Sequence, residues 1–225
     1  MLEAAPIPGW KRCGDLLGVL LILPLTLVLM MIVFCWIKLV SPGPVIFRQT
    51  RIGRGGKPFM MYKFRSMKHG AETATHEAHV VHLIRTNSPM TKMDCEDDRL
   101  IKWAYFIRTF GLDELPQLIN VVRGEMSMVG PRPCVPREFH FYDIGHYRRF
   151  VVQPGLTGLW QVERTQFTTF REMAEMDIEY VNRLSPWSDF KILMRTPASL
   201  VVQFVSCVFA KARKAARWRT ERTSA

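Results

Sequence analysis

Hydrophobic and polar positions set the chain's outline before any single residue is considered. From Leu16 to Ile37 there are 22 residues without a charge, bounded by Lys11, Arg12 and Asp15 before and by Lys38 after. A helix needs about 20 apolar residues to cross a bilayer, so the run is long enough to do so. It is too long for the apolar part of a signal peptide, and no small-residue cleavage site follows it. Pro24 lies inside the run, where a residue without an amide hydrogen breaks one helical hydrogen bond and favours a kink. Two topologies follow: a straight span with the N-terminus outside, or a bent hairpin that enters one leaflet and leaves on the same side. The Lys and Arg after the run place residues 38–68 in the cytoplasm, and composition alone favours the span.

Beyond this run the pattern changes to short alternations. Val45 to Arg51 and Pro58 to Phe64 predict two strands joined by the turn Gly53-Arg54-Gly55-Gly56-Lys57. Lys63 and Arg65 are two apart, so a strand would point both the same way. Trp103 to Ile107 leads to Arg108, and Asp113 sits at an expected helix N-cap ahead of Leu115, Leu118, Ile119 and Val122. Pro116 suits a first helical turn, where the missing amide hydrogen has no helical partner to lose. Pro136 to Val152 mixes aromatic and basic residues, as a membrane interface or an ordinary amphipathic helix would. Pro154 to Gly158 predicts a tight turn, and Phe170 to Leu184 a helix with Met173, Met176, Asp177 and Tyr180 on its packing side. Ala198 to Phe209 is too short to span and reads as an interfacial amphipathic anchor.

Charge sharpens this picture. The formal net charge is +11 over 225 residues. Residues 38–68 carry eight Lys or Arg and no acid, and residues 210–225 carry six against one Glu. Basicity confined to a juxtamembrane segment and a tail suits contact with anionic lipid and phosphorylated ligands, and argues against a nucleic-acid-binding face. The five cysteines, Cys13, Cys35, Cys95, Cys134 and Cys207, are odd in number and never form a CxxC pair. They imply reduced thiols and no zinc site. His69, His76, His79 and His82 have no carboxylate or cysteine in register and read as a solvated polar face in a variable insertion.

Candidate chemistry concentrates between Gly111 and Pro133. Asp113 and Glu114 are adjacent carboxylates at the positive end of a helix dipole, which favours their ionised forms and a nearby phosphate. An ionised aspartate can attack phosphorus if something offsets the repulsion between two anions. Magnesium held by Glu114 and phosphate oxygens would do so. Gly130-Pro131-Arg132-Pro133 restricts the backbone on both sides of one guanidinium, which suits a two-pronged contact with phosphate. Read singly, the two acids cap a helix and Arg132 sits on a solvated turn.

In combination these blocks resemble the bacterial sugar transferases, the monotopic phosphoglycosyl transferases that act on undecaprenyl phosphate. The resemblance rests on SPGPVIFRQTRIGRGGKPFMMYKFRSM, LDELPQL, GEMSMVGPRP, PGLTGLWQV and WSDFKILMRT, in that order over about residues 10–197. It implies an α/β fold: a small membrane-associated domain with a proline-broken N-terminal helix, a short β-hairpin and several interfacial amphipathic helices. It reverses the topology favoured by composition, since relatives keep both ends of a re-entrant helix cytoplasmic, although Leu23-Pro24 stands where a Ser-Pro pair is common. The implied division is a lead-in over 1–9, the re-entrant helix over 10–40, a cytoplasmic transferase domain over 41–197, and an amphipathic segment with a basic tail over 198–225.

The same resemblance implies Asp113 as nucleophile, Glu114 as magnesium ligand, and Lys63, Arg65, Arg108, Arg132 and Arg164 as phosphate or donor contacts. Relatives usually carry Gly-Arg after Gln-Val; here the residues are Glu163-Arg164-Thr165. The implied substrates are a UDP-sugar and a polyprenyl phosphate, at the cytoplasmic face of a bacterial inner membrane, beginning a lipid-linked glycan for exopolysaccharide, O-antigen or glycoprotein synthesis. A membrane-bound magnesium-dependent phosphohydrolase and a non-catalytic membrane-tethered interaction protein are the competing readings.

Overall fold

The computed structural model describes residues 4–68, 74–90, 99–165 and 167–223, with side chains throughout except at 74–77, 79, 203 and 206–223. The apolar run lies within one helix, α1 (Gly9–Val40), which continues through Pro24. At 32 residues it is about 48 Å long. Outward residues such as Leu21 and Leu39 are 83% and 85% exposed, with Leu17, Leu25, Val28, Met31 and Ile32 also uncovered. A surface this apolar and continuous marks contact with lipid rather than water.

The inner side of α1 is docked at both ends. Val33 and Ile37 pack with Val45, Phe64, Ile101, Ala104 and Ile107, while Val19 packs with Met61, Leu118, Val121 and Met126. Full burial of Ile37 alone is worth about 1.5–3 kcal/mol. At the N-terminal end the contacts are polar. Lys11 Nζ reaches the Val129 carbonyl at 2.7 Å, the Tyr180 hydroxyl at 3.0 Å and Asp189 at 2.5 Å. Asp15 accepts from Ser127 Oγ and the Met128 amide, both at 2.8 Å. Arg12 bonds the Val121 and Val122 carbonyls.

The expected hairpin is present as β1 (Ile46–Ile52) and β2 (Pro58–Phe64), antiparallel with Ile46 opposite Phe64 and Ile52 opposite Pro58. Helix α2 (Ala74–Arg85) carries the histidine-rich stretch. His82 is exposed; His69 and the side chains of His76 and His79 lie outside the described residues. Helix α3 (Ala104–Thr109) leads into a 3-10 segment, Leu112–Gln117, continued by α4 (Leu118–Arg123). This corrects the expected helix start. Gly111, in the left-handed region with φ 67°, holds the N-cap position, and Asp113 lies inside the first turn.

A second sheet was not expected. β3 (Ser127–Val129) and β4 (Gly155–Thr157) pair in parallel, Ser127 opposite Gly155 and Val129 opposite Thr157. Glycine makes the crossing possible. A Cβ at Gly130 would collide with the Gln153 carbonyl, and one at Gly155 with the Gly130 amide. The chain is completed by α5 (Pro136–Phe139), a 3-10 segment Ile144–Val151, α6 (Leu159–Glu163), α7 (Phe170–Asn182) and α8 (Pro186–Thr223). Segment 136–152 turns Glu138, Tyr142, Arg149 and Phe150 into the interior and leaves Arg137, Ile144 and Arg148 exposed. Thr169 and Glu172 form a reciprocal capping box that starts α7. The segment read as a short anchor is part of α8, which runs on through Pro197 to Thr223.

Candidate active site

The acidic pair is positioned by packing between the hairpin and the 3-10 segment. Asn120 makes this arrangement specific. Fully buried on α4, its amide donates to the Met60 carbonyl at 2.7 Å and accepts from the Tyr62 amide at 3.2 Å. It thus satisfies the outer edge of β2 as a neighbouring strand would. A second donation from Asn120, to Glu125 at 2.6 Å, orients the side chain. With β2 held there, Lys63 at its end reaches Glu114, Nζ to Oε1 at 3.0 Å. Asp113, the preceding residue, is 8% exposed. Arg108 is half-buried on α3, its Nη1 donating to Ser66 Oγ at 3.1 Å.

Arg132 is set by a buried charge network. Its guanidinium pairs with Glu138, Nη1 to Oε2 at 2.9 Å, with a second contact at 3.4 Å. Its carbonyl accepts from Arg149 Nη2 at 2.8 Å. Arg149 in turn pairs with Asp177 on α7 and donates to the Tyr142 hydroxyl. Burial by itself would raise the Glu138 pKa, but Arg132 and Arg51 outweigh it and hold the carboxyl below its ordinary range. Burial also pushes the Cys134 thiol up to about 12. Arg51 is a third buried guanidinium here; it donates to Gln49 Oε1 and to the Pro133 carbonyl. Burial and then Arg132 lower its pKa to about 10, while Glu138 and Glu114 act the other way. Of the acidic pair, Glu114 lies close enough to Arg51 to act on its charge.

Comparison with known proteins decides the family. The model of the family described as bacterial sugar transferase matches residues 8–203. The chain belongs to the bacterial sugar transferase family. A Streptococcus agalactiae protein named galactosyl transferase CpsE is 44% identical over 155 residues, covering 68% of this chain and 34% of that protein. Proteins named UDP-glucose:undecaprenyl-phosphate glucose-1-phosphate transferase are also similar. The Caulobacter vibrioides one is 37% identical over 199 residues, 85% of this chain and 69% of that protein. The Escherichia coli one is 38% identical over 194 residues, 83% and 39%. The chain thus spans little more than a third of the length of the Streptococcus and Escherichia relatives.

In this family member the residues expected at the site do not all come together. Lys63 and Glu114 are in contact beside Asp113. Arg132 reaches the surface beside Glu138, its side chain 21% exposed. Arg65 is placed elsewhere. β2 ends at Phe64, so Arg65 does not share a strand face with Lys63; it is buried and donates to the Ser41 and Pro42 carbonyls at the end of α1. Arg164 follows α6, its guanidinium 5.2 Å from the Trp160 ring centroid, and with Arg195, Gln161 and Ser199 it lines a cavity of about 300 Å³ between α6 and α8. Asn120, Glu138, Arg149 and Asp177 were not singled out as site residues. Their only sequence signal is polarity within otherwise apolar neighbourhoods.

Proposed function

We propose that this sugar transferase moves a phosphosugar from a UDP-sugar to a polyprenyl phosphate such as undecaprenyl phosphate. The observation that carries the reading is the buried Asp113 next to Glu114, with Lys63 bonded to Glu114. The Asp113 carboxylate attacks the sugar-bearing phosphorus and the bond to the UMP oxygen breaks. UMP leaves and a phosphosugar-aspartyl ester remains. A phosphate oxygen of the lipid then attacks the same phosphorus, releasing Asp113 and giving a lipid diphosphate sugar. Lys63, Arg108 and Arg132 offset the charge of the phosphates, and Arg164 contacts the donor. Arg65 has a structural role at the end of α1.

Magnesium fits these residues. Among the described residues no group of three or more His, Cys, Asp or Glu could form a protein cage, but magnesium is usually bound by one or two carboxylates plus substrate phosphates. Glu114 and donor phosphate oxygens would hold it. When bound it lowers the repulsion between an anionic nucleophile and an anionic substrate.

Docking of α1 supports a re-entrant arrangement with both ends cytoplasmic. Lys11 and Ile37 are both buried against the domain that carries Asp113, and the helix between them rises about 39 Å, more than the ~30 Å hydrocarbon core. A straight span would carry one end away from that domain. The enzyme then lies at the cytoplasmic face of a bacterial inner membrane, where a soluble donor and a bilayer-bound acceptor meet. Basic residues in 38–68 and the tail favour anionic lipids. The test is UMP release by the purified protein with magnesium, polyprenyl phosphate and a panel of UDP-sugars. UMP together with a lipid-linked sugar supports transfer; free sugar phosphate without lipid product would instead mark a hydrolase.

A further inference from the structure

Three guanidinia converge on the loop Pro131 to Cys134, and among the described residues two carboxylates form ion pairs with them. Arg132 has Glu138 and Arg149 has Asp177. Arg51, 7% exposed, hydrogen-bonds only neutral acceptors, Gln49 Oε1 at 2.8 and 3.2 Å and the Pro133 carbonyl at 3.2 Å. Arg51 and Arg149 therefore grip adjacent carbonyls, those of Pro133 and Arg132. A buried charge without a counter-ion is costly to hold. Two neutral acceptors hold the guanidinium in place, and Glu138, which favours its charge without a hydrogen bond to it, is already paired with Arg132.

We propose that Arg51 is a positioning and charge-supplying residue for phosphate recognition, its unpaired charge being answered by the phosphoryl anion that binds at the exposed edge of Arg132. This rests on the reading above and names a residue that the reading did not include. In a low-dielectric surrounding the field of Arg51 reaches the ligand through Arg132 without direct contact. Its fixed hydrogen bonds mean that the charge needs no rearrangement when the ligand arrives. The Arg51 pKa is lowered by burial and then by Arg132, so the opposing pull of Glu138 and Glu114 offsets its charge only in part. The same chemistry is offered by the diphosphate of a nucleotide donor and by the phosphate of a lipid acceptor.

The experiment uses the full chain in detergent, with inorganic diphosphate as probe, and compares wild type with Arg51→Gln, Arg51→Lys and Gln49→Leu. Arg51→Gln should weaken diphosphate binding about tenfold, without a fall in the melting temperature of the unliganded protein. Arg51→Lys, which keeps the charge, should recover most of the affinity, and Gln49→Leu, which removes only the neutral acceptor, should retain it. In turnover the loss should fall on KM more than on kcat. A rise confined to the donor KM identifies the nucleotide diphosphate, and one confined to the lipid KM identifies the acceptor. Wild-type affinity in folded Arg51→Gln would overturn the proposal, as would equal losses in the Lys and Gln variants. If Arg51→Gln does not fold, loss of affinity in Gln49→Leu overturns it and retention with Arg51→Lys supports it. A wild type that binds diphosphate in this charge-dependent way but transfers no sugar would overturn the transferase reading and leave the assignment of Arg51 standing.

Discussion

Lys63 at the end of β2 lies 3.0 Å from Glu114 in the 3-10 segment, 51 residues further along the chain. The contact joins the hairpin to the acidic pair, so strand packing reaches directly into the proposed reactive centre. Both side chains remain partly exposed, 22% and 37%, so the pair contributes at most about 1 kcal/mol to stability. On the proposed mechanism its larger effect is on charge beside the substrate phosphate. Lys63→Met should lower kcat/KM by about 10²-fold or more while leaving the melting curve nearly unchanged. Steady-state kinetics and a thermal melt on one preparation check this.

The polar clasp at the start of α1 gives a topological prediction. With Lys11 and Asp15 bonded to Val129, Ser127 and Met128, an N-terminal tag should be protected from protease in intact spheroplasts and cut after lysis. A tag cut in intact spheroplasts would place the N-terminus outside. Lys11→Met leaves Asp189 without this cation and should lower the melting temperature.

Acid should loosen the Arg132 network in a predictable window. The folded-state pKa of Glu138 lies below its ordinary value, so its contribution is present above the unfolded carboxyl pKa of about 4.3. It is lost as pH falls through the folded value. Glu138→Gln leaves Arg132 without its carboxylate and should cost about 3–5 kcal/mol at neutral pH. The variant's melting temperature should vary less with pH below 5 than the wild type's. Melts from pH 3 to pH 7 on both proteins test this.

Cys134 should behave oppositely to exposed thiols. Burial pushes its pKa up to about 12, so the thiol stays protonated in the fold well above the pH at which a free cysteine ionises. Its contribution to stability is complete below the unfolded thiol pKa of about 8.5 and is lost as pH rises towards 12. Alkylation at pH 8 followed by peptide mapping should leave Cys134 unmodified in the native protein and label it after denaturation.

What the sequence made legible was local. The hairpin follows from alternation around a glycine-rich turn, and its observed ends are within one residue of expectation. The long helix follows from an uncharged run, and the Asp-Glu pair from its place ahead of apolar spacing. Asp113 was misplaced by two residues as an N-cap because the helix opens with 3-10 geometry from Gly111. The β3–β4 pair was missed because each strand has three residues and the pairing depends on Gly130 and Gly155 crossing at close range. Arg149 and Asp177 are 28 residues apart, in segments whose patterns read as surface amphipathic structure and packing. Such a pair leaves no periodic signal. Arg65 followed the strand pattern of Lys63 in sequence, but the strand ends one residue before it.

The most direct test of the aspartyl mechanism is a single-turnover reaction without lipid acceptor. Wild-type protein is mixed with its UDP-sugar and magnesium, quenched, digested and analysed by mass spectrometry alongside Asp113→Asn. The account predicts a phosphosugar adduct on the peptide containing Asp113, matched by one equivalent of UMP and discharged when polyprenyl phosphate is added, with neither product from the variant. UMP release by Asp113→Asn at the wild-type rate, or turnover with no adduct at any time, would contradict it.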